Sequence, residues 1–171
     1  SFIKVDGMDN TIPLQGAHFA LYIWQGEGAA PAELLPLHTA DSDGKWRLIS
    51  AEVSKEDGEV KFDLVDEGIY RLIETEAPGG YILPKAQWQF AVSFDSGHGK
   101  IGDITVAGAE QGLPPAFGSQ EIEKDGITYE VYILPNMPAV KVPVTGGIGR
   151  AGYTALGSTL ICTAAAILWY T

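Results

Sequence analysis

The sequence predicts an all-β antiparallel sandwich followed by a C-terminal transmembrane helix, and three observations carry that prediction. Turn pairs recur along residues 2–138 (Asp6-Gly7, Asp43-Gly44, Asp57-Gly58, Gly79-Gly80, Asp125-Gly126) and separate short runs rich in Val, Ile, Phe and Tyr, the spacing of hairpins and meanders. No run of useful length has a helical apolar period. Residues 151–171 (AGYTALGSTLICTAAAILWYT) carry no charge, and a helix of that length spans about 32 Å against a hydrocarbon core of about 30 Å.

In chain order, the first strand is predicted at 2–6, ending in Asp6-Gly7, and the second at 17–24. The third, 45–53, opens after Asp43-Gly44, and the fourth, 60–64, follows Asp57-Gly58. A fifth at 68–75 runs toward Gly79-Gly80, and 87–94 and 100–106 follow it. The last, 128–134, leaves Asp125-Gly126. The segments 25–44 and 106–119, rich in Gly, Pro and Ala, read as loops, and only 30–37 is suited to a turn of helix. Eight or so short strands with one polar face each pack as two sheets. The predicted organisation is a sandwich at 1–138, an extended linker at 139–147 and a membrane helix at 148–171. Tyr153 near one end of the uncharged run and Trp169 and Tyr170 at the other suit the two headgroup boundaries, and a run of this length with no polar face suits lipid better than a buried core helix. Cys162 inside it reads as a small apolar filler. Ser1 opens the chain without an export signal and no basic residue follows the span, so both ends read as cut from a longer protein.

Charge and composition exclude several functions. Lys and Arg total 11 against 22 Asp and Glu, a formal charge of −11, which argues against a phosphate-binding surface and so against nucleic acid as a partner. One Cys makes neither an internal disulfide nor a zinc site, and His18, His38 and His98 lie in separate segments without paired ligand spacing, so no metal or cofactor is expected. Asp41-Ser42-Asp43-Gly44 resembles part of a calcium loop but lacks the later acidic ligands, and reads as a turn. Trp24, Trp46 and Trp88 read as core rather than as a carbohydrate platform. No phosphate loop or nucleophile elbow points to an enzyme.

Three polar residues stand where apolar ones belong. Period-two alternation puts Lys4 on the face of Phe2, Glu74 on that of Tyr70 and Leu72, and Asn136 on that of Tyr132 and Leu134. An amine, a carboxyl and a carboxamide thereby point toward apolar surroundings. By periodicity alone, a surface or turn position is the stronger reading for any one of them.

The run Tyr70-Arg-Leu72-Ile-Glu74-Thr75-Glu-Ala77-Pro78-Gly-Gly80-Tyr81 resembles the YxLxETxAPxGY element, or E-box, of Gram-positive pilins and surface adhesins with CnaB (SpaA-like, prealbumin-like) domains, matching every specified position. Phe2-Ile-Lys4-Val-Asp6 and the later Pro13-Leu14-Gln-Gly16-Ala17-His-Phe19-Ala-Leu21-Tyr22 look like the first two strands of that family. Val142-Pro143-Val144-Thr145-Gly146, ahead of an apolar span, is similar to an LPxTG-type sorting signal, with Val142 in place of the usual Leu. The resemblance implies an Ig-like, prealbumin-like sandwich and a spontaneous isopeptide bond between Lys4 and Asn136, assisted by Glu74. It also implies cleavage between Thr145 and Gly146 by a sortase transpeptidase, after transient retention in the membrane, with transfer to peptidoglycan or to a neighbouring pilin subunit. Localisation at the Gram-positive cell wall follows. A stalk or ligand-binding domain of a wall-anchored adhesin, recognising a host surface ligand, or a domain carrying a surface enzyme, is the alternative. Lys85, in Leu83-Pro84-Lys85, faintly resembles a polymerisation lysine motif, but its place just after the E-box argues against that role.

Physical chemistry supports the three-residue assignment on its own terms. Burial disfavours charge, lowering a lysine pKa and raising that of a glutamate, which moves both groups toward neutral amine and protonated acid. The expected chemistry has Glu74 hydrogen-bonding the carbonyl oxygen of Asn136 and shuttling protons while ammonia leaves.

Overall fold

The computed structural model describes residues 1–35, 45–63, 66–95, 98–107, 116–124 and 126–140, and a compact unit spans Ser1–Ala139. Its elements are β1 (Phe2–Asp6), β2 (His18–Trp24), β3 (Trp46–Val53), β4 (Glu59–Val60), β5 (Gly68–Glu76), β6 (Gln87–Asp95), β7 (His98–Ile101), β8 (Thr105–Ala107), β9 (Gly118–Lys124) and β10 (Ile127–Asn136). There is no helix among the described residues, including 30–35. One sheet has the order β4-β1-β10-β9; the other runs β3-β2-β5-β6-β7, with β8 also pairing with β6.

The two sheets close on one apolar layer. Phe2, Val60 and Leu134 from the first meet Phe19, Leu21, Ile23, Tyr70, Leu72, Trp88 and Val92 from the second, all buried. Burial of each large side chain is worth roughly 1.5–3 kcal/mol, so this layer dominates the stability of the fold. Phe2 sits edge-on to both Phe19 and Phe117, with ring centroids 5.1 and 5.2 Å apart.

The outer face of the larger sheet is also covered, which is why β2 is buried on both sides. Ala20, Tyr22, Trp46 and Ile73 form a second cluster under Trp24, Ala30, Leu35 and Ile69. Segment 30–35 is held there by side chains rather than by a ladder. Arg71 donates to the carbonyls of Glu33 (2.5 Å) and Pro31 and to the Gln89 side chain, while its guanidinium lies over the Trp46 ring. Gln87 brackets Leu35, accepting its N–H at 2.9 Å and donating to its carbonyl at 2.6 Å.

Several predicted boundaries shift. β4 is only Glu59–Val60, so Val60 alone of the predicted 60–64 is strand among the described residues, and 61–63 are not. The run predicted at 100–106 divides into β7 and β8, which pair with opposite ends of β6; between them Gly102 donates its N–H to the Ala91 carbonyl at 2.9 Å. β9, a Gly-Ser-Gln-Glu-Ile-Glu-Lys edge strand, is absent from the expected elements and pairs with residues 127–133 of β10, while β1 pairs with its far end through Asn136. The sandwich is not wholly antiparallel: β1 runs parallel to β10, with Ile3 opposite Ile133 and Asp6 opposite Asn136. Parallel neighbours require a crossover, and here nearly the whole domain intervenes between the two strands. The predicted linker from residue 141 and the predicted membrane helix at 148–171 lie outside the described residues.

Candidate functional site

The parallel pairing brings the first and last strands together, and the site forms at that seam. Lys4 on β1 stands opposite Leu134, so the inward face of β10 carries Leu134 and then Asn136 just beyond the lysine. Glu74 reaches in from β5 of the facing sheet, on the same side of its strand as Tyr70 and Leu72. Lys4, Glu74 and Asn136 are each 0% exposed. The interior reading therefore holds at all three positions, and the surface reading that periodicity favoured for each alone does not.

Their polar atoms form a closed set. Lys4 Nζ donates to Asn136 Oδ1 at 2.6 Å and to Glu74 Oε2 at 3.1 Å, and Asn136 Nδ2 donates to Glu74 Oε1 at 2.5 Å. The Glu74 carboxyl thus bridges the amine and the amide nitrogen. The sequence led us to expect Glu74 on the amide oxygen; instead that acceptor faces the lysine donor, and the carboxyl takes the amide N–H. The Phe19 ring centroid lies 5.5 Å from Nζ, so the amine has an aromatic wall as well as polar partners.

Burial pushes the Lys4 amine down to about 8 against the opposing pull of Glu74. Burial likewise raises the Glu74 carboxyl, opposed by Lys4 and by the Asn136 hydrogen bond. Both shifts favour the uncharged pair, the form in which an amine is a nucleophile and a carboxylic acid is a proton donor.

The surroundings fix the position of the strand. The Lys4 N–H donates to the Gly58 carbonyl at 2.8 Å, and the Lys4 carbonyl accepts from Leu14 N–H at 2.8 Å. Gly58 has φ +77°, and a Cβ there would lie 2.5 Å from the Lys4 carbonyl oxygen, so only glycine fits. On the other strand, Gly7 N–H donates to the Asn136 carbonyl at 2.8 Å and Ile82 N–H to the Met137 carbonyl at 2.9 Å. Tyr81 bridges to Pro138, and its hydroxyl donates to Asp6 Oδ2 at 2.6 Å. These supporting residues escaped the sequence reading, although Tyr81 closes the E-box and Asp6 ends β1.

The remaining candidates fall elsewhere. Val142, Pro143, Val144, Thr145 and Gly146 lie outside the described residues, as do His38, Asp41, Asp43 and Cys162. His18 is on the surface, 3.8 Å from Glu76, and Lys85 is exposed between the E-box turn and β6. Trp46 and Trp88 are buried and Trp24 is half-buried, its Nε1 donating to the Gly28 carbonyl at 3.2 Å.

Comparison with known proteins places this geometry in context. The SpaA family, a prealbumin-like fold domain, matches residues 1–105, which include Lys4 and Glu74 but end before Asn136. No curated protein matches the chain. Among solved structures, the pilus adhesin RrgA from Streptococcus pneumoniae is similar at 23% identity and a TM-score of 0.49, over 81% of this chain and 15% of that one. The chain therefore spans a small part of the length of that adhesin.

Proposed function

Since the chain belongs to the SpaA family of prealbumin-like domains, we propose that it is the wall-proximal, self-cross-linked domain of a pilin or fimbrial subunit. The observation that carries this reading is the sealed contact of an amine, an acid and a carboxamide donated by the first strand, the E-box strand and the last strand.

The contacts support the following reaction. Neutral Lys4 Nζ attacks Asn136 Cγ, forming the new C–N bond. Glu74 touches both nitrogens, so it takes a proton from the attacking amine at Oε2 and delivers one to the departing Nδ2 at Oε1. The Cγ–Nδ2 bond breaks and ammonia leaves, with Glu74 returned to its starting state. Apolar packing holds the groups in near-attack geometry, an advantage that reaches about 7–11 kcal/mol in well-oriented intramolecular reactions. The chemistry occurs once per chain and has no diffusing substrate, so the domain is not an enzyme in the turnover sense.

The rest of the reading rests on the sequence. Val142-Pro143-Val144-Thr145-Gly146 is the segment a sortase cleaves after Thr145, and residues 148–171 hold the precursor in the membrane until that cleavage. The acyl-enzyme is resolved by an amine of peptidoglycan or of a neighbouring pilin subunit. Intact mass of the full chain tests the first claim. The wild type is expected to be short by one ammonia and Glu74→Ala to have its full sequence mass; a full-mass wild type rejects the cross-link. Incubation with pilus-class and housekeeping sortases tests the second, and an uncut Thr145–Gly146 bond with all of them rejects it.

A further inference from the structure

Asn136 is the last paired residue of β10, and strand ends fray. Here the end is gripped from two sides. The turn after β1 supplies Gly7 N–H to the Asn136 carbonyl at 2.8 Å; the contact is so close that a Cβ on Gly7 would lie 3.0 Å from that oxygen and 2.7 Å from the Met137 sulfur. The turn after β5 supplies Ile82 N–H to the Met137 carbonyl at 2.9 Å and accepts Ala139 N–H on the Gly80 carbonyl at 2.8 Å.

A side-chain contact joins the two grips. Tyr81 Oη donates to Asp6 Oδ2 at 2.6 Å, while Asp6 Oδ1 accepts the N–H groups of Met8 at 2.6 Å and Asp9 at 3.2 Å. One carboxylate therefore folds the turn after β1 and ties it to the turn after β5, with residues 136–139 between them.

We propose that Asp6 and Tyr81 form a positioning latch for ring closure, holding the end of β10 in the register where the Asn136 carboxamide meets the Lys4 amine. The inference rests on the reading that these two residues join. Neither Asp6 nor Tyr81 touches a reacting atom. Their action is through the backbone of residues 136–139, and it matters because attack requires the reacting atoms about 3–3.5 Å apart and aligned. Each member also keeps the other in a single protonation state: the tyrosine hydrogen bond lowers the Asp6 carboxyl, and the aspartate raises the Tyr81 hydroxyl. The latch is thus constant across the pH range in which Lys4 and Glu74 exchange protons.

The test follows ammonia loss in time. The full chain is made in a short cell-free pulse with detergent micelles, quenched in denaturant at intervals and weighed intact, as wild type, Tyr81→Phe, Asp6→Asn and the double variant. Tyr81→Phe is expected to close about tenfold more slowly, the order set by losing one hydrogen bond to a charged acceptor. The double variant is expected to be no slower than the slower single, and the ratio to wild type to stay the same at pH 6, 7 and 8. Closure of Tyr81→Phe at the wild-type rate overturns the latch. A ratio that changes with pH also overturns it, since the tyrosine would then act on the charges of Lys4 and Glu74. Thermal melts of Lys4→Ala with and without Tyr81→Phe separate position from stability: slow closure explained by a chain already melting at the assay temperature counts against the latch. A wild type that never loses ammonia removes the parent reading and the latch together, whereas normal wild-type closure with an unaffected Tyr81→Phe removes the latch alone.

Discussion

Lys4 is where the structure departs most from what charge alone would allow. A fully buried amine survives because the Glu74 carboxyl and the Asn136 oxygen satisfy it, and because it gives up its proton more readily than a free lysine. This has a consequence for pH in a chain that cannot close. Burial lowers Lys4 to about 8 in the unlinked fold against 10.5 when unfolded, and in Asn136→Ala the same burial is expected to lower it likewise. Between those values the unfolded chain binds more protons, so stability rises with pH across that window, and the penalty for burying charge is complete below about 8. The melting temperature of Asn136→Ala is therefore expected to climb between pH 8 and 10, while a cross-linked wild type, whose Lys4 would not titrate, is expected to lack this increment. Equal slopes in the two proteins would contradict the assignment. The inward direction of these side chains was legible in the alternation of Phe2 with Lys4, Tyr70 with Glu74 and Leu134 with Asn136. What alternation lacks is any measure of depth, because an inward side chain at a strand end is either sealed or wet depending on elements far away in sequence. The choice of amide atom facing Glu74, and the roles of Asp6 and Tyr81, depend on such contacts and could not be read from the chain.

At the scale of elements, strands with a strong apolar face were legible and those without one were not. β1, β2, β3, β5 and β6 appear within a residue or so of expectation because each presents aromatic or β-branched side chains to a covered face. β9 was missed because Ser119, Gln120, Glu121 and Glu123 give an edge strand no apolar alternation to detect, and its partner β10 supplies the pairing. The parallel placement of β1 was hidden for a different reason: turn pairs reveal hairpins, and these two strands share none. The Asp57-Gly58 turn shows how a local signal acquires a long-range duty. Its glycine carbonyl accepts the Lys4 N–H, and the turn leaves no space for a Cβ against the Lys4 carbonyl. Gly58→Ala, placed in a Lys4→Ala background so that unfolding is reversible, is expected to lose about 2–3 kcal/mol from left-handed strain and the clash together. Urea unfolding measures it, and an unchanged midpoint would show that the turn does not anchor β1.

Across the whole molecule, the proposed bond between residues 4 and 136 would close a ring of 133 residues. Chain-entropy arithmetic of the kind used for disulfides gives about 5 kcal/mol for a loop of that size, and the bond resists reducing agents. For a domain of this length that increment corresponds to roughly 15–20 °C in melting temperature. The wild type is expected to melt higher than Lys4→Ala by about that amount, with or without reductant; a difference of only a few degrees would mean that the ring does not close. Because β1 and β10 are neighbouring parallel strands, a pull between the N-terminus and residues beyond 136 would run through such a cross-link, shielding the sheets that bury the aromatic core. The E-box made the family legible, whereas the division of strands between sheets arises only when the core layer closes.

The central claim is covalent, so its most direct test is the chemical identity of two side chains. Proteolysis of the folded, purified chain followed by tandem mass spectrometry should yield a branched peptide in which Lys4 Nζ is acylated by the Asn136 side chain, at the sum of the two peptide masses less one ammonia. Recovery of the two segments only as separate linear peptides, with a free lysine and an intact asparagine, would contradict it.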